Sequence, residues 1–161
     1  MKKTFILLTS IISLSAFAQT ETAKTHPKTK SAYYVNVNID IVFKDKAGND
    51  LLDSANDKHY AYKDIALYYE ENGQKVKINK PNMDHPNNQF MYKDTETNTY
   101  HLRVFLESEE LFLKLNATTT DVIKCKIKKE KGSTKIEKVW YNGKLEWELG
   151  KEKPQVITII K

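Results

Sequence analysis

Apolar and polar residues alternate along much of the chain with a period of two. Between positions 33 and 43 every second side chain is apolar: Val35, Val37, Ile39, Ile41 and Phe43. The positions between them include Asn36, Asn38 and Asp40. This alternation predicts a β-strand with one buried face, and the polar segment 44–50 that follows predicts a turn.

The dipeptide Asn72-Gly73 predicts a hairpin over positions 64–80, because Asn and Gly tolerate the positive φ angles of a two-residue type I′ turn. Counting outward from the turn pairs Tyr69 with Val76, Leu67 with Ile78 and Glu70 with Lys75. Apolar residues then meet on one face of the hairpin, and opposite charges meet on the other.

A second Asn-Gly dipeptide, at positions 142–143, predicts another hairpin between positions 135 and 149. Counting outward pairs Trp140 with Leu145, Lys138 with Trp147 and Ile136 with Leu149. One face of this hairpin would then carry a heavy load of aromatic and aliphatic side chains. Such a face is expected to lie in the core.

The remaining strand-like segments are 90–93, 100–106, 111–115, 121–129 and 156–160. The first two are predicted to pair as a hairpin, with Tyr100, Leu102, Val104 and Leu106 facing inward and His101, Arg103 and Phe105 facing outward. In total about nine or ten strands are expected. Closely spaced strands joined by short turns predict an all-β fold, an antiparallel β-sandwich, with a β-barrel as the alternative.

The first 18 residues have the pattern of a secretory signal peptide: a positive start, a short apolar stretch and small residues at Ala16 and Ala18. The apolar stretch is shorter than the roughly 20 residues that span a bilayer, so no membrane span is expected after its removal. Residues 19–31 are polar and predict a flexible tether. The sandwich domain is expected over residues 32–161, in the periplasm or outside the cell.

The chain is basic, with a formal net charge of +5, but its 26 cationic residues include only one arginine, Arg103. Nucleic-acid recognition favours the planar, bidentate guanidinium, and here the lysines are interleaved with acids along strands. No nucleic-acid partner is therefore expected. The single cysteine, Cys125, cannot form an internal disulfide and alternates with lysines as a core residue would.

No motif points to an active site, a cofactor or a metal. The four histidines lie in four separate segments, no serine sits in a Gly-x-Ser-x-Gly elbow, and the five glycines form no phosphate-binding loop. The acidic segment 45–50 with Asp53 has oxygen ligands for calcium but lacks the spacing of an EF-hand loop, which favours a plain turn. No catalytic residue, metal ligand or cofactor is assigned.

Aromatic residues are the one enriched class that suits recognition. If Tyr69 is in the core, its neighbour Tyr68 must point outward. Together with outward-facing Arg103 and Phe105, Tyr68 could form a patch on one sheet face that stacks on a sugar or anchors a protein partner. These three residues are the predicted binding site.

Four segments carry a resemblance to a known group: the signal end at 17–19, the strand and turn at 43–52, the stretch 118–125 and the hairpin 140–147. Together they resemble small, uncharacterised exported proteins of Bacteroidetes-type bacteria, many of which look like all-β sandwich lipoproteins. The resemblance implies fold and location and no active residue. This chain lacks the cysteine after the cleavage site that would anchor such a lipoprotein.

The sequence thus favours an exported, non-enzymatic β-sandwich that binds a protein or glycan partner at the cell envelope or outside. Two alternatives remain open. A small secreted hydrolase would need a pocket that gathers histidines with carboxylates. A structural or assembly subunit would donate an edge strand, and the β-branched segment 156–160 would then be unpaired.

Overall fold

A computed structural model describes residues 34–151 and 154–161, and it shows an all-β sandwich. Within these ranges the eleven strands are β1 (Tyr34–Asn36), β2 (Asn38–Lys44), β3 (Ala66–Glu71), β4 (Gln74–Lys77), β5 (Gln89–Lys93), β6 (Tyr100–Phe105), β7 (Glu110–Lys114), β8 (Thr120–Glu130), β9 (Ser133–Tyr141), β10 (Lys144–Glu148) and β11 (Val156–Ile160). One turn of 3₁₀ helix, Tyr62–Asp64, precedes β3. The predicted signal peptide, 1–18, and tether, 19–31, lie outside the described residues.

The strands form two sheets. The seven-stranded sheet has the order β1-β9-β8-β7-β3-β4, with β10 also paired to β9, and the four-stranded sheet has the order β11-β2-β6-β5. Within the described residues neither sheet closes on itself, so the sandwich is confirmed over the barrel. Two pairs, β1 with β9 and β11 with β2, are parallel, which corrects the purely antiparallel prediction. Neither pair is joined by a hairpin, so no local turn fixes its direction.

One hydrophobic core lies between the sheets. Leu67, Leu113 and Val139 enter it from the seven-stranded sheet, and Ile41 and Leu102 enter it from the four-stranded sheet. All five side chains are fully buried. Because both sheets bury one face in the same cluster, their other faces point to opposite sides of the molecule.

The segment predicted as one strand from 33 to 43 is two strands in different sheets. After Asn36 the chain leaves the seven-stranded sheet, and β2 enters the four-stranded sheet between β11 and β6. Val35, predicted to face inward, is 55% exposed on β1, whereas Asp40, predicted to face outward, is 6% exposed. Val42 is buried as well, so β2 is a central strand with both faces covered.

The hairpin around Asn72-Gly73 has the predicted register. Tyr69 pairs with Val76 and Glu70 pairs with Lys75, and both turn residues have positive φ, 53° at Asn72 and 78° at Gly73. The turn itself specifies this register, because only a two-residue loop joins the strands.

The last hairpin follows the predicted register only at its turn. Trp140 faces Leu145 as expected, but a β-bulge at Glu146 then places Trp147 opposite Val139 and not Lys138. The bulge moves Trp147 to the inner face, where it is 2% exposed, and Trp140 stays half-buried on the outer face. Leu149, predicted to lie opposite Ile136, is exposed. One inserted residue reverses which side chains face the core.

Across residues 34–151 and 154–161, no helix has the length and apolar character needed to cross a membrane.

Candidate binding face on the four-stranded sheet

The hairpin of β5 and β6 places five ring or cationic side chains on the outer face of the four-stranded sheet. Phe90 and Tyr92 alternate along β5, and His101, Arg103 and Phe105 alternate along β6. The register sets Phe90 opposite Arg103 and Tyr92 opposite His101. The residues between them on β6 are in the core, so all five point away from it.

Asp40 on β2 lies opposite Arg103 and binds it through both carboxylate oxygens. Arg103 Nε donates to Asp40 Oδ1 at 2.7 Å, and Arg103 Nη2 donates to Asp40 Oδ2 at 2.7 Å. The Tyr92 hydroxyl donates to the same Oδ2 at 2.8 Å and accepts from Arg103 Nη2 at 3.3 Å. Among the described residues, the remaining guanidinium nitrogen, Nη1, has no hydrogen-bond partner. The Arg103 side chain is 32% exposed, so solvent and ligands have access to part of the guanidinium.

Arg103 and Tyr92 both have raised pKa values and keep their protons at neutral pH. The hydrogen bond to Asp40 raises the pKa of Arg103 above its ordinary value. Burial, and then the hydrogen bond to Asp40, raises the pKa of Tyr92 to about 12. At neutral pH Tyr92 is therefore a neutral donor, and the charges of Asp40 and Arg103 cancel.

Rings surround this ion pair. His85, from the loop between β4 and β5, stacks on Phe90 with centroids 4.3 Å apart and lies 5.5 Å from Phe105 in a similar plane. Arg103 Cζ lies 5.6 Å from the centre of Phe90 and 5.2 Å from that of Tyr92, within cation–π range. We call this surface the aromatic face; it comprises Asp40, His85, Phe90, Tyr92, His101, Arg103 and Phe105.

His101 has an unsatisfied nitrogen at one end of the aromatic face. Its ring lies 5.3 Å from that of Tyr92, and the residue is 5% exposed. The buried Nδ1 atom finds no hydrogen-bond partner in the part of the chain that is described. A buried polar atom without a partner costs free energy.

The structure brings together two of the three predicted site residues. Arg103 and Phe105 belong to the aromatic face. Tyr68 lies on β3 in the other sheet, where it pairs with Lys77 and Phe112. Because the outer faces of the two sheets point in opposite directions, Tyr68 does not contribute to the same patch. The prediction assumed that outward-facing side chains are neighbours, because the sequence pattern does not show which strands share a sheet.

The predicted binding site omits five residues of the aromatic face: Asp40, His85, Phe90, Tyr92 and His101. A usable signal existed for three of them. His101 was predicted to face outward with Arg103, and the predicted hairpin between 90–93 and 100–106 already sets Phe90 and Tyr92 beside outward-facing residues of β6. The alternation pattern predicted Asp40 to be an ordinary exposed residue. No local sequence feature indicated that the loop carrying His85 folds back onto the sheet.

The acidic turn weighed for calcium is held by its own hydrogen bonds. Asp45 accepts from the backbone and side-chain nitrogens of Asn49, and these bonds lower the pKa of Asp45. Asp50 accepts from the amide of Tyr100 at 2.7 Å, and Asp53 caps a local turn. Nowhere in the described ranges do three or more His, Cys, Asp or Glu side chains group as metal ligands would.

Comparison with protein-family models, with curated proteins and with solved structures finds no match to this chain.

Proposed function

We propose that this protein is a non-enzymatic β-sandwich that binds a neutral saccharide on its aromatic face, at the cell envelope or outside the cell. The observation that carries the proposal is the position of Arg103. Its guanidinium is fixed by Asp40, flanked by Phe90 and Tyr92, and keeps Nη1 without a partner among the described residues. Aromatic side chains with a few fixed polar groups beside them are typical of the sites at which proteins bind small molecules.

The charge of the site supports a neutral ligand. Arg103 is neutralised by Asp40 at 2.7 Å, so an anionic sugar would gain little from the guanidinium and would meet the carboxylate beside it. Elsewhere, lysines of β8 and β9 pair with glutamates: Lys124 with Glu110, Lys126 with Glu137 and Lys138 with Glu148. These pairs support the expectation that nucleic acid is not the partner.

A protein partner is the second candidate. Tyr and Arg side chains that are half-buried and surrounded by other rings are the residue types that dominate protein interfaces. Strand donation has less support, because the segment 156–160 that would be donated is paired with β2 in the same chain. A hydrolase has less support, because the described residues group no histidine with two carboxylates.

The proposal is tested on a glycan array with residues 19–161, the chain expected after removal of the predicted signal peptide, and then by calorimetry with the saccharides retained. Arg103→Ala and Phe90→Leu are expected to weaken binding by about tenfold or more, since each removes a central contact. Phe90→Leu keeps an apolar side chain on the strand, so it guards against loss of folding. Tyr68→Ala, on the opposite face, is the matched control and should bind normally.

Two results would overturn the proposal. One is that the protein binds no saccharide. The other is that Tyr68→Ala weakens binding as much as Phe90→Leu does. Binding of a protein ligand that is lost in Arg103→Ala, with no saccharide binding, would select the second candidate.

A further inference from the structure

The loop between β4 and β5 covers part of the aromatic face with one imidazole. His85 lies over Phe90 with an interplanar angle of 19° and over Phe105 with an angle of 16°, at centroid distances of 4.3 Å and 5.5 Å. Phe90 and Phe105 lie 6.1 Å apart on neighbouring strands. A single small ring thus occupies the surface that both phenyl rings present.

The imidazole stacks on both phenyl rings. Among the described residues its nitrogens make no hydrogen bond. The backbone of the loop is fixed independently: the Lys80 amide donates to the Pro86 carbonyl at 2.7 Å, and the Asn88 amide donates to the His85 carbonyl at 2.9 Å. Rotation of the His85 side chain therefore uncovers both phenyl rings without breaking a backbone hydrogen bond.

We infer that the imidazole of His85 occupies a ring-binding subsite, from which one ring of a neutral saccharide displaces it. The inference rests on the proposed function and adds to it the place where the sugar ring lies. Arg103 Cζ is 5.6 Å from the Phe90 centre, so the guanidinium flanks the same phenyl ring on which the saccharide ring would stack. Because the His85 nitrogens make no hydrogen bond among the described residues, displacing the imidazole breaks ring contacts and no described hydrogen bond.

Displacement has a cost that the ligand must overcome. Aromatic pairs of this kind contribute modestly beyond the area that they bury, and the apparent affinity of a site falls with the fraction of molecules in which it is open. Removing the imidazole should therefore tighten saccharide binding about three- to tenfold. Replacing it with a larger apolar ring should weaken binding, because the closed state becomes more stable.

The experiment is calorimetry with neutral oligosaccharides as probes: cello-, laminari-, manno-, xylo- and chitohexaose. His85→Ala is expected to bind the preferred probe about three- to tenfold more tightly than the native protein, and His85→Phe about threefold more weakly. Met83→Ala, an exposed position in the same loop, is the matched control and should not change affinity.

Nuclear magnetic resonance gives a second readout of the native protein. Stacking on Phe90 shifts the imidazole protons of His85 upfield, and saturating saccharide should remove that shift. If both His85→Ala and Phe90→Leu lose binding, His85 itself contacts the saccharide. The displacement inference is then overturned and the proposed function stands. An unchanged affinity in His85→Ala overturns it equally. If none of the variants binds any probe or array glycan, the proposed function itself is wrong.

Discussion

Arg103 and Asp40 face each other on neighbouring strands, and the guanidinium donates to both carboxylate oxygens at 2.7 Å. Asp40 is almost entirely buried, whereas the Arg103 side chain is about one-third exposed. Arg103→Ala should lower the free energy of unfolding by about 2–3 kcal/mol, because it leaves a buried carboxylate with Tyr92 as its remaining side-chain donor. Urea denaturation measures the change.

Two further variants separate charge from geometry at this pair. Arg103→Lys keeps the charge but not the two parallel hydrogen bonds, so about half of the loss should remain. Asp40→Asn combined with Arg103→Ala should be less destabilised than the sum of the single changes, because no uncompensated charge is left. Strict additivity would mean that the two residues contribute separately.

The stability of the fold should depend on acidic pH through Asp121. This buried carboxylate accepts from the Tyr141 hydroxyl at 2.6 Å, from Asn142 Nδ2 at 2.8 Å and from Lys161 Nζ. Burial alone would raise the pKa of Asp121, but these hydrogen bonds outweigh it and hold the pKa below its ordinary value. The folded state therefore gains stability above the unfolded pKa of about 3.9, and loses it as pH falls through the lower folded-state pKa.

Asp121→Asn should lower the free energy of unfolding by about 2 kcal/mol at neutral pH. It should also flatten the dependence of stability on pH below about 4. Both are read from urea denaturation over a series of acidic buffers. Asp53→Asn, which removes a carboxylate from an exposed turn, is the control and should leave most of the acid dependence in place.

Tyr92 should ionise late in alkaline solution. Its folded-state pKa of about 12 lies above the unfolded value of about 10, so its contribution to stability is complete below about pH 10 and is lost as pH rises through about 12. The difference in tyrosinate absorbance between the native protein and Tyr92→Phe isolates this group. A midpoint near the ordinary value would contradict the burial of the Tyr92 hydroxyl and its hydrogen bond to Asp40.

Cys125 should be unreactive in the folded protein. The thiol is buried, its Sγ donates to the Ser108 carbonyl at 3.2 Å, and burial, followed by the charge of Glu109, raises its pKa to about 11. Thiolate is the reactive form, so a thiol-specific dye at neutral pH should react at the rate at which the protein opens. Denaturant should restore rapid reaction. Rapid labelling of the native protein would show that Cys125 is accessible.

Features specified within a few residues were predictable from the sequence, and features that depend on distant strands were not. The turn at Asn72-Gly73 specifies the register of its hairpin locally, so that register was correct. The bulge at Glu146 leaves no signature in the alternation, so Trp147 was given the wrong partner. Tyr68 was wrongly grouped with Arg103 for a similar reason. Alternation along a strand shows that a side chain points outward, but it does not show which sheet the strand joins.

The parallel pairing of β11 with β2 has a consequence for biosynthesis. Val156 lies beside Asp40, so β2 cannot pair with β11 until more than a hundred further residues have been translated. Loops of this length are slow to close, and the four-stranded sheet stays incomplete until β11 has been translated. A nascent chain that has not emerged as far as β11 therefore leaves β2 as an unpaired edge strand. Truncated translation products should fold poorly and be good substrates for chaperones or proteases.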